Sequence, residues 1–256
     1  MKHTILSRKE LAILEKIIAN YGNIVRFNEI EKLVGDDYSY DELKNEVSFL
    51  VKRGWLVRIK QGVYAVASLE SHNFANISPL VIANVLAPDS YVSFECALNY
   101  YGLFDQLSNR IIGVNTKTTK EFTFQDQVYR FLNVKPELFF GFQEVSINNQ
   151  TAKVAELEKA ILDYLYFRND TYSYELILEK LKENKDGFDF GKLKKYGLRY
   201  SLSVKRRLGF LLDLVGVESD ELLFESKQRG GFSKLTKDSN KFNAKWRIYY
   251  EDRFSN

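Results

Sequence analysis

The run from Ser39 to Val66 leaves this chain little freedom in what it can fold into. Ser39-Tyr40-Asp41-Glu42 has the form of a capping box: a hydroxyl at the N-cap meets an orphan backbone N–H, and a carboxylate three residues on reaches back. Leu43, Val47, Leu50 and Val51 then fall on one helical face, and Gly54 ends the run. Two β-rich segments follow, Trp55 to Lys60 and Val63 to Val66, separated only by Gln61-Gly62. That spacing predicts a tight hairpin.

Two further helices precede it. Ser7-Arg8-Lys9-Glu10 is a second capping box, after which Leu11, Leu14, Ile18 and Tyr21 form an apolar stripe that Gly22 closes. Phe27 to Val34 fits a brief helix with Ile30, Leu33 and Val34 turned inward. Three helices and a hairpin predict a winged helix-turn-helix over residues 1–67.

Packing accounts for all of those apolar positions, so function rests on what the third helix and the hairpin show to solvent. The outward set is Tyr40, Lys44, Asn45, Ser48 and Lys52, joined by Arg58, Lys60, Gln61 and Gly62 on the wing. Asn pairs bidentately with adenine, Lys reaches guanine or phosphate, and Tyr and Ser hydroxyls bind backbone phosphates. A glycine at the wing tip permits close backbone approach to a strand. The competing reading is a wing that makes only protein contacts. It draws on charge, because residues 1–70 hold eleven Lys/Arg against ten Asp/Glu. Asp41, Glu42 and Glu46 would repel a phosphate backbone unless they serve the helix N-terminus instead.

With 256 residues, two domains are the better expectation than one. A lone cysteine, Cys96, excludes an intrachain disulfide and a thiolate metal cluster; a free buried thiol in a reducing cytoplasm is expected. No apolar run approaches the roughly 18 residues of a membrane span. A formal charge of +3 is too small to identify a polyanion partner by itself.

Beyond a linker around Ser68 to Phe74, the second domain is expected over 79–256, giving an α+β protein overall. Helices are predicted from Pro79 to Leu86 and Phe94 to Tyr101. Short strands follow at Arg110 to Thr116, Glu121 to Phe124, Val128 to Val134 and Phe140 to Ile147, in a small, mostly antiparallel sheet. Further helices fit Ala155 to Phe167, Tyr174 to Glu183, Gly191 to Tyr196 and Ser203 to Val215. Lys159 and Asp163, four apart, read as a solvated helix pair without chemistry. Lys205, Arg206 and Arg207 crowd a helix N-terminus, where cations oppose the dipole, and are a candidate partner-binding surface. Residues 185–256 carry sixteen Lys/Arg against ten Asp/Glu, so the excess positive charge gathers there and could meet nucleic acid or an acidic partner.

No enzyme is expected: His3 and His72 lie in terminal or linker-like segments, and metal-ligand, phosphate-loop, dinucleotide and nucleophile-elbow motifs are missing. No cofactor, metal or catalytic residue is assigned.

Several stretches together resemble the AbiEi family of type IV antitoxins. Residues Leu50 to Ala65, reading LVKRGWLVRIKQGVYA, look like that family's helix exit and wing. Ser78 to Ala83, Tyr91 to Leu98 with Gly102-Leu103, and Ala155 to Asp163 (AELEKAILD) are similar in order and spacing. The resemblance implies an antitoxin that represses its own operon through promoter DNA and counteracts a nucleotidyltransferase-like toxin, or that toxin's nucleic-acid target, through its C-terminal domain. Gln61 stands where the family pattern leads one to expect a basic residue.

Overall fold

A computed structural model describes residues 6–67, 76–106, 109–227 and 230–255, with backbone alone at 224–227. His3, His72 and the expected linker lie outside the described residues. Two compact units result: residues 1–88 with Thr123–Gln127, and residues 89–122 with 128–256.

In the first unit, α1 (Arg8–Tyr21), β1 (Ile24–Arg26), α2 (Phe27–Val34) and α3 (Tyr40–Lys52) lead into β2 (Leu56–Lys60), β3 (Val63–Val66) and α4 (Pro79–Leu86). Both expected capping boxes form: the Glu10 N–H donates to Ser7 Oγ at 3.2 Å, and the Ser39 N–H donates to the Glu42 carboxylate at 2.9 Å. The three strands pair antiparallel in the order β1-β3-β2. The core joins Ile13, Leu14 and Ile17 to Ile30, Val34, Leu43, Val47, Leu50, Trp55 and Leu56.

Helix α1 sits rotated from the predicted stripe: Ile13, Leu14 and Ile17 are buried, whereas Leu11, Ile18 and Tyr21 are exposed. Apolar residues cover more than one face of this helix, so periodicity alone could not fix its rotation. Glu10 decides it, since its buried carboxylate takes an ion pair from Arg53 at 2.5 Å, just past the end of α3. Helix α4, expected to open the second domain, belongs to the first unit and packs beside β2.

The second unit holds β4 (Ser90–Val92), α5 (Phe94–Tyr100), β5 (Arg110–Asn115), β6 (Lys120–Phe124) as far as Phe122, β7 (Gln127–Asn133) from Val128 on, β8 (Phe142–Ile147) and β9 (Gln150–Ala155). The sheet order is β6-β7-β5-β4-β9-β8. It is mixed rather than mostly antiparallel, because β4 runs parallel to β9 and β5 parallel to β7. Asn148 and Asn149 both take positive φ, the geometry of a two-residue hairpin loop, and so join β8 to β9.

Helices α6 (Leu157–Phe167), α7 (Thr171–Glu183), α8 (Phe190–Gly197), α9 (Leu202–Val215) and α10 (Asp220–Lys227) follow. The expected helices end instead in a small sheet, β10 (Ser233–Lys234), β11 (Lys241–Asn243) and β12 (Ile248–Tyr250), ordered β10-β12-β11. Trp246 anchors it. Its indole lies on Gly209 of α9, where a Cβ would collide with the ring, and its Nε1–H donates to Asp213 at 2.7 Å.

Candidate nucleic-acid interface

Burying Leu43, Val47 and Leu50 fixes the roll of α3 and leaves Lys44, Asn45, Ser48 and Lys52 exposed, with Tyr40 58 % exposed at its start. Acidic residues open this helix, but Glu42 turns back to Ser39, whose hydrogen bonds hold its carboxyl below the usual range. The carboxylate thus serves the helix N-terminus, where the dipole favours it.

On the wing, Arg58 and Lys60 would share a face in a regular strand, two residues apart. A bulge intervenes: Arg58 pairs with Tyr64, yet Lys60 pairs with Val63, leaving Ile59 as the extra residue. Neighbouring residues on β3 point to opposite faces, so Arg58 stays with Tyr64 while Lys60 turns to the other side. There the Lys60 ammonium donates to the carbonyls of Val85 and Leu86, capping the C-terminal end of α4. Burial pulls its pKa down, and the neighbouring Arg26 cation adds to the effect.

Six of the predicted residues, Tyr40, Lys44, Ser48, Arg58, Gln61 and Gly62, line a single cleft of about 440 Å³ between α3 and the wing. Phe27, Val51 and Tyr64 complete its wall. Phe27 meets Tyr40 edge-on at 5.6 Å, and its N–H donates to the Gly62 carbonyl at 2.9 Å, tying the wing turn to the start of α2. Gly62 has φ +71°, and nothing lies within 4 Å of where a Cβ would sit, so backbone conformation rather than crowding calls for glycine. Asn45 and Lys52 are exposed on α3 outside this cleft; Lys52 lies over the exposed ring of Phe49 at 5.6 Å. Lys60 alone among the wing residues is directed elsewhere.

Sequence reasoning missed Phe27, Tyr64 and Phe49. The stripe through Leu43, Val47 and Leu50 places Phe49 outward, which was the available signal; Phe27 and Tyr64 depend on the third strand, β1, which carried too short a pattern to read.

The expected surface at Lys205, Arg206 and Arg207 does not form as such. Lys205 is buried and Arg206 is 2 % exposed. Arg207 donates to the carbonyls of Leu165 at 3.0 Å and Lys234 at 3.2 Å, which braces α9 against α6 and β10. These cations join the interior framework of the second unit.

Lys159 and Asp163 also depart from expectation, being sealed from solvent. Their ion pair is surrounded by Tyr200, whose hydroxyl lies 2.8 Å from Lys159 Nζ, and by Ser93 and Tyr91, whose hydroxyls donate to Asp163 at 2.7 and 3.2 Å. The ammonium lies 5.3 to 5.6 Å from the rings of Tyr91, Phe140 and Tyr200. Burial lowers the pKa of Lys159 against the opposing pull of Asp163 and pushes the phenols of Tyr91 and Tyr200 well up.

Among the described residues no helix is long and apolar enough to cross a membrane, and no cluster of three His, Cys, Asp or Glu could hold a metal ion.

Residues 12–67 match the family model described as "Transcriptional regulator, AbiEi antitoxin", so the resemblance read from sequence is borne out over the winged helix. Among solved structures, the chain is similar to the RV2827C protein from Mycobacterium tuberculosis. The likeness has a TM-score of 0.65 at 11% identity and covers 95% of this chain and 92% of that one, which makes it one of fold. Comparison with curated proteins finds no match.

Proposed function

We propose that this chain is a DNA-binding antitoxin that lays α3 in the major groove of its own promoter and closes the wing over the adjacent strand. The carrying observation is the convergence of Tyr40, Lys44, Ser48, Arg58, Gln61 and Gly62 on one cleft, within a segment similar to a transcriptional-regulator family. A helix is about 10–12 Å across and the major groove about 12 Å wide, so α3 fits with its outer face on the bases. The phosphate strand flanking that groove then runs beside the helix, along the cleft. Lys44 and Arg58 neutralise it, the hydroxyls of Tyr40 and Ser48 hydrogen-bond it, and Asn45 stands on α3 to pair with adenine.

Autorepression and action against a nucleotidyltransferase-like toxin, or its nucleic-acid target, extend this reading to the second unit; the resemblance in Ala155 to Asp163 supports that extension. The setting is the cytoplasm, where the DNA lies. A protein-only role for the first unit is favoured by one observation, the exposed Leu11, Ile18 and Tyr21 of α1.

A mobility-shift titration with duplex DNA from upstream of the coding sequence separates the two. Retardation by the full chain, weakened by Lys44→Ala with Arg58→Ala, is the expected result. Absence of retardation at low salt favours the protein-only role.

A further inference from the structure

The C-terminal sheet has two unlike faces. Ser233, Leu235 and Ile248 are buried on one side, along with Trp246, which packs on α9. On the other, Lys234 and Phe242 both pair with Tyr249 across the strands and so share its face. Phe232, two residues before Lys234, meets the same tyrosine ring: its centroid lies 5.0 Å away, and that of Phe242 lies 4.9 Å away on the opposite strand. Phe232 is 62 % exposed and Phe242 49 % exposed. Three contiguous rings thus stand on an open sheet surface.

The charges around them are asymmetric. Lys241 pairs with Asp252, Lys245 with Asp213, and Arg253 with Glu175. Lys234, Lys237 and Arg247 are exposed and make no ion pair among the described residues. A surface of aromatic faces edged by cations without counter-charges offers two things together: flat surfaces for stacking, and neutralisation of a polyanion.

We propose that this face, with Phe232, Tyr249 and Phe242 as the platform and Lys234 beside them, binds single-stranded nucleic acid through unpaired bases stacked on the rings. A duplex keeps its base faces inside its own stack and has none to offer, whereas a single strand exposes one per nucleotide. Phe232 leads into β10 and Phe242 lies on β11, with β12 between them, two ladder spacings of roughly 10 Å in all, so a chain crossing the sheet meets the rings in succession. A second copy of this protein is a poorer occupant. Self-docking about a two-fold axis through this face would carry Lys234 of both copies into one interface, like charge against like. This platform is independent of the winged-helix cleft and adds a second nucleic-acid site.

The test uses the full chain and fluorescently labelled twelve-nucleotide single strands of mixed sequence, RNA and DNA, with the annealed duplex as a third probe, read by anisotropy. Either single strand should bind. Phe232→Ala and Phe242→Ala should each weaken that binding about tenfold, Phe242→Tyr should restore it, and duplex binding should stay unchanged. A preference for RNA would assign a role to the ribose hydroxyl, and equal binding would assign recognition to the bases and phosphates; both support the platform. Lys44→Ala with Arg58→Ala should leave single-strand binding intact. Because the substituted rings are exposed, unchanged circular dichroism and melting will show that each variant folds. Failure of both single strands to bind, or unchanged binding by a variant carrying Phe232→Ala and Phe242→Ala together, overturns the proposal. So does a loss of self-association in that variant with oligonucleotide binding unaltered.

Discussion

Lys159 and Asp163 form an ion pair with both side chains fully removed from solvent, one helical turn apart on α6. An unpaired ammonium or carboxylate at that depth would cost several kcal/mol in lost hydration. The pair is tolerated because each member has further partners: Tyr200 for Lys159, and Ser93 with Tyr91 for Asp163. The network thereby pins α6 to β4 on one side and to the turn after α8 on the other.

Removing one charge from this pair should therefore harm the fold more than removing both. Lys159→Met strands the carboxylate and should destabilise the chain by about 3–5 kcal/mol. Adding Asp163→Leu should recover part of that loss. A residual of about 1–3 kcal/mol should remain, because the Ser93 and Tyr91 hydroxyls lose their acceptor. Urea unfolding of the single and double variants measures both quantities. A single variant as stable as the parent would mean the network bears little of the fold's stability.

The pair also marks where the sequence stopped being informative. Lys159 and Asp163 at four-residue spacing look the same whether a helix faces solvent or lies under a sheet; only the tertiary setting of α6 tells the two apart. The helix starts at Ser7 and Ser39 were legible because a capping box is a local device, with its partners three residues apart. Tyr40, Lys44 and Ser48 were legible for a related reason, since the periodicity of α3 fixes its outer face, while Arg58, Gln61 and Gly62 were legible from the two-residue turn between β2 and β3. Lys60 was misplaced because a single-residue bulge has no compositional mark, yet it reverses which side every later residue faces. Strands β4 and β1, three residues each, were too short to show alternation, and the parallel pairing of β4 with β9 depends on a partner sixty residues distant.

That reversal makes Arg58 and Lys60 distinguishable by salt dependence. Taking one cation away from a phosphate should reduce the slope of log affinity against log salt by about 0.9. Arg58→Ala and Lys44→Ala should each do so. Lys60→Ala should leave the slope as it is and instead release the end of α4, seen as faster amide exchange at Val85 to Ala87. A lowered slope in Lys60→Ala would show that the lysine leaves its carbonyl partners and turns to DNA.

Gly209 and Trp246 give a test of how the C-terminal sheet is held. No larger side chain fits between α9 and the indole without displacing the ring. Gly209→Ala should cost about 1–3 kcal/mol through overpacking, despite the better helix propensity of alanine. Tryptophan emission should shift to the red as Trp246 loses its buried position and its hydrogen bond to Asp213. A stabilised variant with unchanged emission would show that the ring has room to move.

The second unit should also lose stability in alkali, in an order set by its buried acids. Burial pushes the Cys96 thiol from 9.0 up to about 12 and the Tyr174 phenol from 10.0 up to about 12, and raises Tyr91, Tyr129, Tyr164 and Tyr200 as well. A raised folded pKa means that, above the unfolded pKa, the unfolded chain has given up its proton while the folded chain still holds it. Unfolding then releases protons, and stability falls as pH rises, by up to about 1.4 kcal/mol per pH unit for each group. Cys96 opens its window first, near its unfolded value of 9.0, followed by the tyrosines near 10.0. Urea midpoints should accordingly start to fall between about pH 9 and 10 in the parent and hold level there in Cys96→Ala, with both declining steeply beyond. Buried tyrosines should show no tyrosinate absorbance until the chain unfolds. If that absorbance instead rises in full below the unfolding transition, these phenols reach water in the folded protein, and the packing described for the second unit is wrong.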